Sequence, residues 1–391
     1  MEAREVKIYA NEPSSRLKYI ADLLLGDILG LHYEIVADRR KIGKHPAINY
    51  SNENIQGTFH IEPSGLLSEK DVTEKKIIIS EWKSLPVFFL SQSEADIPFD
   101  IFSASFYLVS RYEEYLPSDK DIHGRFKASN SVAFQNGFLR RPVVDLWLKE
   151  FVKLLIRKFP FIAVKRNEYK ALLTMDVDQP FAYLGKSLFR KMGGLIKDIA
   201  DKNRHVEDRY KVMTHEKKDP FDVYDYIFEK IKNTGTTTRF FLSVGDLSKN
   251  DHNPSWKNEK YRTLINSLSS DFITGLHPSY ESAEKLNLID EELKRLKTIT
   301  GKQILSSRFH FIRFTLPVSY RKLVKLGFTE DYSMGYPEQP GFRAGISRPF
   351  KFFDLLNDNE TSLKIVPFFV MDATLYSYLK LSANESEHII N

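Results

Sequence analysis

The sequence predicts an α/β protein in which a mixed N-terminal region precedes a mainly parallel sheet or barrel. Three observations predict it. From Tyr169 onward, short β-rich runs alternate with stretches of helical periodicity. Three of those stretches are followed by Gly235, Gly301 and Gly327, residues suited to the left-handed conformation that ends a helix. Successive apolar runs also end in polar side chains. Strands joined through helices imply right-handed crossovers and function at the carboxyl ends of the strands, so chemistry is expected just after each strand.

The first 165 residues read as a smaller mixed α/β domain. A helix is expected near Ser14–Leu29, β-rich pieces around Ile78–Phe89, a helix from Phe99 through Tyr115, and another through Pro142–Lys158 with proline near its first turn. Nothing there carries a metal-like or nucleophile-like cluster. The passage Arg157–Asn167 reads as a junction, giving expected domains 1–165 and 166–391. In the second, Ala171–Met175, Thr237–Leu242, Phe272–Gly275, Gln303–Phe309, Phe328–Tyr332 and Leu363–Val370 read as strands. Asp222–Asn233, Ser282–Thr300 and Tyr320–Leu326 read as helices.

Composition narrows the function classes. With 391 residues, 42% of them hydrophobic and 28% charged, the chain lies in the globular range and can bury a large core. Fifty-seven Lys and Arg against 52 Asp and Glu leave a net charge of +5, too weak over this length to argue for nucleic acid. Zero Cys excludes disulfides, Cys-ligated zinc and a cysteine nucleophile, so any metal needs His, Asp or Glu. The N-terminus is charged where a signal peptide needs its apolar core, and no apolar run approaches a membrane span; a cytoplasmic protein is expected. No GxGxxG, GxxxxGK or GxSxG occurs, and His215-Glu-Lys-Lys-Asp219 lacks the second His of a zincin.

Four strand exits carry the candidate chemistry. After Ala171-Leu-Leu comes Thr174-Met-Asp176-Val-Asp178; in extended chain the two Asp point to one face, where they need a cation, an Arg or a shared proton between them. A turn before Pro180 explains the same residues without function. The second exit holds His277, with Glu281 four residues on, a spacing that suits metal ligation if the turn is helical. Ser279 as a helix N-cap, with Glu281 meeting the helix dipole, accounts for it equally. The third is Arg308-Phe-His310, with both polar residues on one face by period two. The fourth is Glu330-Asp331-Tyr332-Ser-Met-Gly335, followed by Gly341-Phe-Arg343.

In this order the motifs resemble those of the polysaccharide deacetylases of the NodB-homology type, carbohydrate esterase family four, over roughly residues 166–391. The whole chain, with Phe106–Tyr115 and His123-Gly-Arg-Phe126, looks like a two-domain bacterial group with an extra N-terminal domain. The resemblance implies a distorted (β/α) barrel and a divalent metal, usually zinc. It implies Asp176 as general base, Arg308 orienting it and Asp331 in the fourth motif, with Asp178 and His277 on the metal. Where the family has a second metal His this chain has Glu281, so Glu281 or His310 supplies the third ligand, or the site is degraded. Tyr280, Tyr332 and Arg343 are the substrate-facing candidates. The chain closes at Glu385–Asn391 in what reads as a helix start, where the family has a strand carrying a His, so a missing last strand is expected.

The implied function is metal-dependent removal of N-acetyl, or O-acetyl, groups from a sugar or polysaccharide precursor. The alternative is a catalytically degraded relative that binds glycan or a partner. The segment Phe181–Pro220 carries a stripe of Leu184, Leu188, Met192 and Leu195 amid Lys and Arg. It reads as a surface helix packed on the body, or as a dock onto anionic lipid at the inner membrane face, suiting a lipid-linked glycan.

Overall fold

The segment Glu5–Ala10 (β1) is buried from Val6 onward and apolar there apart from Lys7, which suits the centre of a parallel sheet. In the computed structural model, which describes residues 5–184 and 205–390, it lies between β2 (His32–Val36) and β3 (Ala47–Tyr50), with β4 (Phe59–Ile61) beyond β3. All four strands are parallel, an arrangement the sequence reading did not foresee. The Ser14 hydroxyl accepts the Leu17 N–H and starts the helix Ser15–Ala21, which runs on in wider turns to Ile28. β5 (Ser80–Trp82) and β6 (Leu85–Val87) form a short hairpin inside the expected β-rich piece. The helix expected from Phe99 through Tyr115 spans Ile101–Val109, because the chain enters a left-handed turn at Arg111. The next, Val143–Lys158, buries Trp147, Phe151 and Leu155 at helical spacing.

By packing, the chain divides into two compact units: Met1–Glu168 with Phe314–Val324 and Asp331–Asn391, and Tyr169–Arg313 with Lys325–Glu330. The second holds four parallel strands, β7 (Leu172–Val177), β8 (Thr237–Leu242), β9 (Ile273–Leu276) and β10 (Ser306–Ser307), hydrogen-bonded in that order. β7 is the edge strand; its Leu172 and Leu173 are 37% and 40% exposed. Among the described residues the sheet is open there, so the expected barrel is seen as a parallel sheet within a mixed α/β chain. The strand expected over Gln303–Phe309 shrinks to Ser306–Ser307, and beyond it the chain kinks through left-handed backbone at Phe311 and Ile312. The expected helix Ser282–Thr300 separates into a single turn at Tyr280–Ala283 and a helix over Asn287–Thr300. The helix Glu259–Asp271, capped by Asn258 and burying Tyr261, Ile265 and Leu268, was not anticipated.

β11 (Glu330–Asp331) falls where the chain returns to the first unit, followed by the antiparallel pair β12 (Phe350–Asp354) and β13 (Asn359–Ile365). Of the residues placed by the sequence in one 166–391 domain, Tyr169–Arg313 therefore stays in the second unit, while Phe314–Val324 and Asp331–Asn391 pack with the N-terminal part. Their side chains explain why. Phe353 packs against Tyr19 and Phe106 with ring centroids 4.9 and 5.1 Å apart, and buried Arg16 donates from Nε to Asp358 at 2.9 Å. No helix among the described residues is long and apolar enough to cross a membrane. The stripe positions Leu188, Met192 and Leu195 lie outside the described residues.

Candidate metal centre

The parallel register of the second unit builds the site. Val177 pairs with Leu242, Leu242 with Leu276, and Leu276 with Ser307, so the four strands end in one row. The next residues, Asp178, Ser243, His277 and Arg308, leave the sheet side by side. Backbone bonds continue past the strand ends: His277 N–H to Leu242 O, Arg308 N–H to Leu276 O, and His310 N–H to Pro278 O. Gly275 lets the strands approach here, since a Cβ at that position would lie 2.6 Å from both the Phe241 ring and the Ser306 hydroxyl.

Asp178, His277 and His310 each offer a ligand atom, and these atoms all lie within 4.8 Å of one another. The His277 Nε2 is 3.0 Å from Asp178 Oδ1, and the His310 Nε2 is 3.5 Å from Asp178 Oδ2. Each imidazole is fixed from behind. His277 Nδ1 meets the Arg308 carbonyl oxygen at 2.5 Å, and a carbonyl can only accept, so Nδ1 carries a hydrogen and Nε2 is the atom turned toward Asp178. His310 Nδ1 donates to the Asp251 carboxylate at 2.9 Å, which likewise leaves Nε2 turned toward Asp178. His277 Nε2 and Asp178 Oδ1 are buried and make no well-aligned hydrogen bond. Two buried donor atoms facing each other without a proton well placed between them suit a shared cation.

Electrostatics agree with the geometry. Burial opposes ionisation of Asp178, but the imidazoles of His277 and His310 that face it outweigh this and hold the carboxyl well below its usual range. Burial likewise disfavours a charged His310, yet its hydrogen bonds to Asp178 and Asp251 push it up to about 9. Asp176 stands at the mouth, its Oδ2 3.6 Å from Arg308 Nε and 4.0 Å from His277 Nε2. Arg308 is anchored in turn by donating from Nη1 to the Thr174 hydroxyl.

The structure thus brings together Asp176, Asp178, His277, Arg308 and His310. Glu281 is not with them. Its side chain is 43% exposed and pairs with Lys285, because the residues after Pro278 form a tight turn instead of a helix and carry Glu281 outward. Tyr280 is half-buried at the rim, with the Arg313 guanidinium 4.2 Å over its ring and Phe311 edge-on at 5.3 Å.

The remaining expected residues belong to the first unit. Asp331 is buried and accepts from the Ser333 N–H and hydroxyl, and Tyr332 is 3% exposed. Arg343 is a buried structural partner rather than a rim residue. Its Nε and Nη2 donate to Glu114, its Nη1 donates to the Gly335 carbonyl, and the guanidinium lies over Phe314 and Tyr336. Sequence reasoning missed Asp251. The signal for it is the exit of the expected strand Thr237–Leu242, which is not among the four exits considered.

Comparison with known proteins adds three findings. Residues 6–160 match a family of unknown function (DUF7033). No curated protein matches. Solved structures that match include a Mycobacterium smegmatis protein described as a polysaccharide deacetylase (12% identity, TM-score 0.32, 52% of this chain and 61% of that one). Also found are IcaB from Ammonifex degensii (14%, TM-score 0.25, 43% and 86%) and the polysaccharide deacetylase Bc1974 from Bacillus cereus (14%, TM-score 0.24, 56% and 89%). The match therefore spans less than two thirds of the Mycobacterium smegmatis chain.

Proposed function

We propose that the protein is a metal-dependent hydrolase that removes an acetyl group, in the first instance N-acetyl, from an amino sugar or polysaccharide precursor. The observation that carries this is the Asp178–His277–His310 cluster, with both imidazoles fixed so that Nε2 faces the carboxylate. Two imidazoles and a carboxylate are a donor set suited to zinc. A divalent ion held there polarises a carbonyl oxygen and acidifies water. The chain's own residues do the rest. Asp176 Oδ2, facing the same point, takes a proton from water, and Arg308 keeps that carboxylate turned toward it. The half-buried Tyr280 and Phe311 give the rim an aromatic face suited to the apolar face of a sugar ring.

The alternative of a degraded binding protein drew in part on Glu281 at a ligand position. His310 in the third corner answers that part alone. The test is acetate release from acetylated amino sugars by zinc- or cobalt-loaded protein and by Asp176→Asn. Loss of a general base lowers the rate by about 10²-fold or more; equal rates remove Asp176 from that role, and a wild type that takes up no metal removes the hydrolase reading itself.

A further inference from the structure

A second carboxylate stands behind the cluster and comes from a different loop. Asp251 is 1% exposed and lies 59 residues from His310 in sequence. Its Oδ1 accepts the His310 Nδ1–H at 2.9 Å and the Tyr280 N–H at 2.8 Å, and its Oδ2 accepts the Ser248 hydroxyl at 2.7 Å. The carboxylate is itself braced: the Asp251 N–H donates to Ser248 Oγ at 3.0 Å, and the Ser248 N–H donates to the Asp251 carbonyl at 3.1 Å. These bonds fix Asp251 without any help from an ion.

The two imidazoles are held unequally. His277 leans on a neutral carbonyl, whereas His310 leans on a buried charge. A carboxylate accepting from Nδ1 raises the basicity of Nε2 and fixes the ring's rotation, and together with Asp178 it supplies two negative charges against a divalent ion. With Asp251 included, the exits of all four strands of the second unit contribute to one site. We propose that Asp251 is the positioning residue that makes His310 a metal ligand, holding its Nε2 toward Asp178 and setting the affinity of the site. This rests on the reading that Asp178, His277 and His310 hold a divalent ion. A purely structural role, tying the loop after β8 to the Tyr280 N–H, predicts something different: lower stability with unchanged affinity.

The two are separated on the full chain by zinc titration calorimetry, the visible spectrum of bound cobalt, and the melting temperature of metal-free protein. Wild type, Asp251→Asn, Asp251→Ala and His310→Ala are compared. Asp251→Asn keeps the shape and an oxygen acceptor but loses the charge, so it stays testable if the alanine variant fails to fold. The expected result is one zinc per chain in wild type and in Asp251→Asn, with affinity falling about 10–100-fold in the variant and an altered cobalt spectrum. Unchanged affinity and spectrum in Asp251→Asn, with binding lost in His310→Ala, overturn the role of Asp251 and leave the metal site standing. A wild type that binds neither ion overturns both.

Discussion

Replacing Glu292 with Gln should reverse part of the protein's stability change with pH. Glu292 sits on the helix Asn287–Thr300, 2% exposed, and accepts from both the hydroxyl and the N–H of Ser279, two residues beyond His277. Burial pushes its carboxyl up, the negative Asp251 adds to this, and the Ser279 hydrogen bonds and Arg295 only partly oppose it; the result is about 7 against an ordinary 4.5. At 1.36 kcal/mol per pH unit, the difference corresponds to about 3 kcal/mol. The folded protein therefore binds this proton more tightly than the unfolded chain. The resulting stabilisation is complete below pH 4.5 and is lost as pH rises through about 7. Gln keeps an acceptor for the Ser279 N–H and has no proton to lose. Urea unfolding of wild type and Glu292→Gln across this range isolates the effect, because every other titrating group cancels in the difference. The variant should gain about 3 kcal/mol on wild type between pH 4.5 and pH 8. A difference that stays flat would show that Glu292 ionises as it would in water, and the reasoning from burial would fail.

Glu281→Ala should leave zinc affinity unchanged in calorimetry, since its carboxylate faces Lys285 and solvent; a loss of binding would return it to the ligand set. Gly275→Ala should cost about 1–3 kcal/mol in urea unfolding, because the new methyl must displace the Phe241 ring and the Ser306 hydroxyl together. Glu114→Gln should cost more, about 3–5 kcal/mol, because it leaves the buried Arg111 and Arg343 without their shared carboxylate; a melting curve like that of wild type would contradict this.

The parts of the fold that could be read from the sequence were those set by local signals. Thr237–Leu242 is a strand as expected, and Gly235, Gly301 and Gly327 do take positive φ after their helices. The β1–β4 sheet escaped notice because its strands are only three to six residues long and β3 and β4 are buried along their whole length, which leaves no run long enough to show a pattern. The grouping of β12 and β13 with the N-terminal residues could not be read either. It depends on Phe353 meeting Tyr19 and Phe106, and on Asp358 meeting Arg16, contacts between positions hundreds of residues apart that no local pattern announces.

The site divides along the same line. Asp176, Asp178, His277 and Arg308 were legible because parallel register turns a rule about sequence, polar residues directly after apolar runs, into a rule about space. Glu281 was chosen on the assumption that four residues make one helical turn. Pro278 and the tight turn after it break that assumption, and the side chain swings to solvent. His310 was chosen as a strand residue, whereas it stands beyond the end of β10, where the chain is about to kink at Phe311; the departure from the strand is what frees its ring to turn toward Asp178. Arg343 shows the opposite limit. An Arg among glycines and aromatics has the same sequence signature whether it faces substrate or a buried carboxylate, and only the position of Glu114, far away in the chain, decides between them. Residues whose role is set by the next atom in the chain can be read in advance; those whose role is set by a partner from another loop, as with Asp251 and His310, become visible only once the strands are in register.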